Sequence, residues 1–250
     1  MIEWSDSALV LSARPHGETG VVASVLTLEH GRHAGLVPGG QSRSRAAMLQ
    51  PGQQVAASWR ARLADQLGTF ALEPSAPYPA AVLDDSAALA GLTAACAVAD
   101  AALPERESHP AIYEGLVAFI ESLSTPHWPF AYVRLELGLL AELGYGVDLS
   151  CCAVTGQTQG LTHVSPRTGR AVCAEAAAPY REKLLPLPGF LAGTGDISSE
   201  SLQEGLHLTG FFLERCVFAV HHAPLPAARK RLVERLVEKL EFACPTLPIP

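Results

Sequence analysis

The run Gln54-Val55-Ala56-Ala57-Ser58-Trp59-Arg60-Ala61-Arg62-Leu63 decides how the first third of the chain folds. Val55, Ala57, Trp59, Ala61 and Leu63 fall on one side of an extended backbone; Gln54, Ser58, Arg60 and Arg62 fall on the other. This alternation is that of a half-buried strand. Four further runs read the same way: Ala8 to Ala13, Gly20 to Leu28, His33 to Val37 and Leu67 to Glu73. Gly, Pro and Ser separate them. Five short strands within residues 1–78 predict a small closed barrel, because closure removes exposed edges.

The texture changes after Pro74-Ser75-Ala76-Pro77-Tyr78-Pro79, which reads as a linker. Asp84, Asp85 or Ser86 is placed to cap a helix that runs to about Ala102, ahead of Pro104. Ile112, Leu116, Phe119, Ile120 and Leu123 fit one helical face. Phe130 to Leu143 reads as an apolar helix stopped by Gly144 and Gly146. Ser201 to Val220 and Ala227 to Phe242 read as two more, the last with Leu232, Val233, Leu236, Val237 and Leu240 on one side. Between them, residues 148–180 form an irregular insert. Its turn at Ser165-Pro166-Arg167-Thr168-Gly169 separates Leu161–Val164 from Arg170–Cys173, predicting a hairpin. The expected organisation is α+β: a barrel over 1–78, then a helical part over 79–250 that carries the insert.

The 250 residues are 48% hydrophobic and 17% charged, which argues against disorder. No stretch reaches the ~18 consecutive apolar residues of a membrane span. The start, Met1-Ile2-Glu3-Trp4-Ser5-Asp6, lacks the basic residues of a signal peptide. Six cysteines in a chain this long do not suggest a secreted disulfide scaffold, and they read as reduced thiols in the cytoplasm.

The formal net charge of -7 argues against a protein that simply coats nucleic acid. Its distribution says more. From His30 to Ala64 there is no Asp or Glu, while Arg32, Arg43, Arg45, Arg60 and Arg62 all lie there. The first 80 residues balance six arginines against six acids. The whole deficit sits in the rest, twelve basic against nineteen acidic residues. Arg43 and Arg45 follow Pro38-Gly39-Gly40-Gln41-Ser42, read as a flexible loop able to follow a phosphate backbone. Arg60 and Arg62 share one strand face, as a barrel groove requires. These arginines read equally well as solvated surface charge. Trp59 lies on the apolar face and is expected in the core. Binding would therefore be backbone-directed, salt-sensitive and sequence-tolerant.

A structural zinc site wants two close cysteine pairs, typically CxxC and CxxC. The position that should answer Cys152 holds Thr155, and the one that should answer Cys173 holds Ala176. Cys151 and Cys152 are adjacent, and His163 would complete a site only by unusual geometry. Zinc is not expected, and the cysteines read as small buried apolar groups. Cys216 lies five and six residues from His221 and His222, spacings that do not make helix neighbours. No GxSxG elbow, P-loop or HExxH is present, and Gly193-Thr194-Gly195 is too short for a phosphate loop. No catalytic residue is proposed.

A series of short segments carries a resemblance. It runs through Ala8-Leu9-Val10-Leu11, Arg14-Pro15-His16-Gly17-Glu18-Thr19, Leu28-Glu29-His30-Gly31-Arg32, Ser44-Arg45 and Leu49-Gln50-Pro51-Gly52. It continues with Leu143-Gly144-Tyr145 closing a helix from Leu135, then Cys152, Ser165-Pro166, Gly169 and Cys173. In this order they resemble the RecO family of bacterial recombination mediators over nearly the whole chain. The resemblance implies an N-terminal OB-fold and a helical domain with a zinc-finger-like insert. It implies binding of single- and double-stranded DNA, annealing of complementary strands, and help in loading RecA onto strands coated by single-stranded DNA-binding protein (SSB). Its implied partners are RecR and the SSB C-terminal tail. The DNA-contacting candidates are Arg14, Arg32, Arg43, Arg45, Arg60 and Arg62. Arg134, beside Phe130 and Tyr132, is the candidate cation for the acidic, apolar-ended SSB tail. The sequence departs from the family at Thr155 and Ala176, where the four-cysteine site is half missing. It departs again at Pro38-Gly39-Gly40, where more basic residues are common. The competing readings are a protein-docking barrel and an unrecognised hydrolase.

Overall fold

In a computed structural model, residues 1–193, 195, 197–220 and 222–243 are described, with side chains up to Glu238. Thr194, His221 and the side chains of Leu240 and Phe242, used in the sequence reading, lie outside the described residues. Packing divides the chain into two compact units, Met1–Trp128 with Pro226–Arg229, and Pro129–Leu225 with Lys230–Pro250.

The first unit opens with β1 (Ile2–His16), β2 (Gly20–Thr27), β3 (Gly31–Val37), a short helix α1 (Arg43–Met48), β4 (Gln54–Ala61) and β5 (Thr69–Pro74). The strands close in the order β1-β2-β3-β5-β4. Four seams are antiparallel and long. The fifth, between β3 and β5, is parallel and rests on Leu36 opposite Thr69, with Leu36 N–H bonded to the Gly68 carbonyl at 3.1 Å. This is a five-stranded OB-type barrel, with a helix between its third and fourth strands.

The alternation read from the sequence fills it. Val55, Ala57 and Trp59 join Ala8, Val10, Val21, Ala23, Val25, Val37, Phe70 and Leu72 in one core cluster. Several boundaries move, two of them with consequences for the core. β4 ends at Ala61, so Leu63 is not an inward residue; it stands 59% exposed in the β4–β5 loop. β1 starts at Ile2 rather than Ala8, because Ile2 to Leu9 pairs with Ala61 to Gln54. A bulge between Val10 and Ser12 then re-aims the strand.

Helices α2 (Ala81–Asp84), α3 (Ser86–Ala102) and α4 (Pro110–Ser122) follow, and packing groups them with the barrel. The Asp85 side chain caps α3 by accepting from Ala87 N–H. Small residues line α3: Ala87, Ala88, Ala94, Ala95 and Ala99 are buried, and a Cβ on Gly91 would overlap the Trp128 ring. Polar ties hold this segment to the strands. Asp100 accepts from the hydroxyls of Ser12 (2.8 Å) and Ser24 (2.6 Å).

The second unit contains most of α5 (Trp128–Glu142), a three-stranded sheet, α6 (Ala174–Ala177), α7 (Gly189–Ala192) and α8 (Ser199–Phe212), and part of α9 (Ala227–Ala243). Ser198 and Ser201 form a reciprocal cap at the start of α8. The helix expected to Val220 passes into a π-helical turn at Leu213–Phe218. α5 and α8 meet where Gly205 lies against Val133 and Phe190. The buried Glu136 accepts from the Thr209 hydroxyl at 2.5 Å. The expected hairpin is β6 (Leu161–Val164) with β7 (Ala171–Cys173). A third strand, β8 (Leu185–Pro186), pairs on the other side of β6.

Candidate nucleic-acid interface

The longest acid-free stretch of the sequence folds into β3, α1, β4 and the loops joining them, so its arginines are gathered on the barrel. A cleft of about 440 Å3 opens where β4 and β5 face the end of β3 and α1. Arg45 and Arg60 line it, with Ser58 and Thr69 as hydroxyls and Val37, Met48, Trp59 and Leu72 as apolar lining. Trp59 is core, as the alternation implies: it is 1% exposed, and its indole N–H donates to the Leu67 carbonyl at 3.0 Å. Glu3 and Glu73 also border the cleft, so its field is mixed rather than uniformly positive. A second cleft, about 460 Å3, lies alongside and shares Arg60. Arg62, Gln66 and Gly68 complete it, with Met1 at its edge. Arg45, Arg60 and Arg62 therefore make one track across two adjoining depressions. Exposed arginines bordering such clefts can neutralise phosphates without reading bases.

The surroundings of each arginine differ from the sequence picture. The Pro38–Arg45 segment is not a flexible loop throughout. It turns at Gly39 and enters α1 at Arg43, with Ser42 N–H bonded to the Gly39 carbonyl and Arg45 N–H to the Ser42 carbonyl. The Arg45 guanidinium folds back onto the Pro38 carbonyl. Arg60 and Arg62 are both exposed, but only Arg60 is on β4; Arg62 begins the β4–β5 loop. Arg43 and Arg14 are exposed and line neither cleft. Arg32 is only 18% exposed. Its Nε donates to the Leu103 carbonyl at 2.7 Å, and its guanidinium faces Glu105 at 3.4 Å and Asp100 at 3.6 Å. That arginine ties β3 to the segment after α3, leaving little of it for a phosphate.

Two residues to which the sequence reading gave no role hold loops of the barrel. Arg106, in a left-handed conformation (φ 64), donates to the carbonyls of Ala64 and Gln66 and so pins the β4–β5 loop. Gln41 donates to the Gly17 and Gly20 carbonyls at 3.0 and 2.9 Å, tying the β1–β2 turn to the stretch before α1. No local pattern marks either, since their partners are backbone carbonyls far away in sequence. Gly68 is different: its φ of +65 and a Cβ position 2.4 Å from the Trp59 indole leave room for no side chain.

Asp6 and Cys96 are held within the fold of the first unit. Trp4 stacks on His30 with centroids 4.2 Å apart, and Asp6 accepts from Glu29 N–H, His30 N–H and the His30 ring. Burial works against ionisation of Asp6, yet these bonds hold its pKa below the usual carboxylate value. Burial and Asp100 push the Cys96 thiol up to about 12, so it stays protonated and unreactive. Arg134 is exposed on α5, its guanidinium 5.4 Å over the Phe190 ring, and Phe190 packs edge-on against Phe130 at 5.0 Å.

Sequence comparison places these features. A family model described as the N terminal part of recombination protein O matches residues 1–78, and its C terminal counterpart matches residues 83–223. The DNA repair protein RecO of Rhodospirillum centenum is 54% identical over 236 residues, 94% of each chain. That of Caulobacter vibrioides is 52% identical over 239 residues, 95% of this chain and 96% of the other. That of Rhodospirillum rubrum is 49% identical over 244 residues, 94% of this chain and 97% of the other. A match that spans the barrel, the helices and the insert in order leaves one conclusion: the chain belongs to the RecO family of DNA repair proteins.

Proposed function

We propose that this chain is a non-catalytic recombination mediator that binds DNA on its barrel, anneals complementary strands and helps load RecA onto SSB-coated single strands. The observation that carries the reading is the track of Arg45, Arg60 and Arg62 across two adjoining clefts of an OB-type barrel. Arg43 and Arg14, exposed outside the two clefts, are proposed as further phosphate contacts. Side chains of this kind neutralise phosphates without reading bases, so strands of any sequence are held. Annealing then needs only that two backbones be screened from each other, with no bond made or broken. The acidic remainder of the chain confines DNA to the barrel by repulsion. RecR and the SSB tail are the proposed protein partners, and Arg134 over Phe190 is the proposed cation for the tail.

The test is DNA affinity against salt for a triple Ala variant at Arg45, Arg60 and Arg62, with Arg32→Ala as its counterpart. The triple variant is expected to bind all sequences more weakly at an unchanged Tm. Its salt slope should fall by roughly 0.7–0.9 for each phosphate that is no longer neutralised. Arg32→Ala is expected to cost about 2 kcal/mol of stability, by leaving Asp100 without its cation, and to keep the slope. Wild-type binding by the triple variant would overturn the site.

A further inference from the structure

The insert brings two of its cysteines together around a threonine. Cys152 is 1% exposed and Cys173 2%. The Cys152 sulfur accepts the N–H of Cys173 at 3.3 Å and that of Thr155 at 3.5 Å. The Thr155 hydroxyl lies 3.6 Å from the Cys173 sulfur. The turn is closed by Cys152 N–H to the Gln157 carbonyl at 2.7 Å and Gly156 N–H to the Cys152 carbonyl at 2.9 Å, with Gly156 left-handed. Ala153 N–H reaches the Ala171 carbonyl on β7 at 2.8 Å, joining turn to hairpin.

N–H groups aimed at a sulfur from a tight turn, and a second cysteine at the mouth of a hairpin, form the framework on which a four-cysteine zinc site is built. The two remaining ligand positions hold Thr155 and Ala176. A neutral hydroxyl is a poor zinc ligand, and a methyl group is none. Two thiolates leave the tetrahedron open, and the His163 ring engages the neighbouring Thr162 hydroxyl at 2.9 Å. Among the described residues no group of three or more His, Cys, Asp or Glu is placed to hold a metal ion. The residues present do not fit zinc.

We infer that the insert is a metal-independent knuckle, in which Thr155 stands at a ligand position and links Cys152 to Cys173 by hydrogen bonds. The remaining cohesion comes from packing and pairing. Leu161, Val164, Ala171, Val172, Leu185 and Leu187 are buried around the sheet. If the turn and hairpin keep the backbone frame of a metal site, cysteines at 155 and 176 complete one.

The experiment uses the full chain and three measurements independent of DNA binding. Metal analysis of protein purified without chelator is expected to find no stoichiometric zinc. A cobalt(II) titration is expected to give the absorption of tetrahedral thiolate coordination, at one ion per chain, in the Thr155→Cys/Ala176→Cys variant and not in wild type. Hydrogen exchange at Thr155 and Cys173 is expected to rise several-fold to about tenfold in Thr155→Val, and to return toward wild type in Thr155→Ser. Stoichiometric zinc in wild type, a folded double variant that ignores cobalt, or unchanged exchange in Thr155→Val would each overturn the inference.

Discussion

At the scale of the residue, His33 is the most informative side chain. It is 4% exposed and boxed by Trp4, Trp59 and Phe70, with ring centroids 5.0, 4.7 and 6.3 Å away. Neither ring nitrogen makes a hydrogen bond of normal geometry, and a weak backbone interaction with His30 is all that favours the charged form. Burial, then the charges of Arg106 and His30, pull its pKa from 6.5 down to about 4. The unfolded chain therefore takes up this proton first. Stability from a neutral His33 is complete above its unfolded pKa of 6.5 and drains away as the pH falls toward 4, by at most about 3 kcal/mol. Unfolding of wild type and His33→Leu, measured at a series of pH values across that window, checks this. The difference between the two should shrink or reverse toward the acid end. A difference that stays constant with pH would remove His33 from the account.

At the scale of the element, the strands were legible because alternation is a local signal and the barrel core obeys it. What escaped depends on partners elsewhere. The opening Ile2-Glu3-Trp4-Ser5-Asp6 also alternates, but only pairing with β4 turns it into strand. Six residues of α1, rich in Arg and Ser, carry no helical face to read, and none of them is buried. Arg32 looked like its neighbours in an acid-free run. Its ion pairs with Asp100 and Glu105 lie some 70 positions away. The insert's hairpin was legible from its turn, whereas the two-residue β8 was not. The β4–β5 loop shows the same limit, because its shape is held by Arg106 rather than by its own sequence. Arg106→Lys, which cannot span both carbonyls with one ammonium, is expected to speed hydrogen exchange several-fold at residues 64–67. It should weaken DNA binding less than Arg60→Ala does, with a salt slope near wild type. A slope reduced as much as in Arg60→Ala would mean that Arg106 itself touches phosphate.

At the scale of the whole molecule, the net charge of -7 is compatible with the proposed DNA binding because residues 1–80 balance six arginines against six acids and the rest of the chain carries the deficit. The arginines of the two clefts belong to one compact unit and Arg134 to the other. No helix among the described residues is long and apolar enough to cross a membrane. If DNA is held by the barrel and the SSB tail by α5, the two activities must fail separately. Arg134→Ala removes a cation from above the Phe190 ring without touching either cleft. It is expected to lower the affinity for an acidic, apolar-ended tail peptide by about tenfold, as befits removal of one charge-assisted hydrogen bond. Naked-strand annealing should remain intact while annealing of SSB-coated strands slows. The triple cleft variant should show the converse: normal tail affinity, with annealing of both naked and coated strands impaired. Fluorescence anisotropy of a labelled tail peptide and an annealing assay with and without SSB separate the cases. Loss of tail binding in the cleft variant, or of naked-strand annealing in Arg134→Ala, would show that one surface serves both ligands. The acidic tail would then compete with DNA for the same arginines, and SSB would inhibit this protein rather than recruit it.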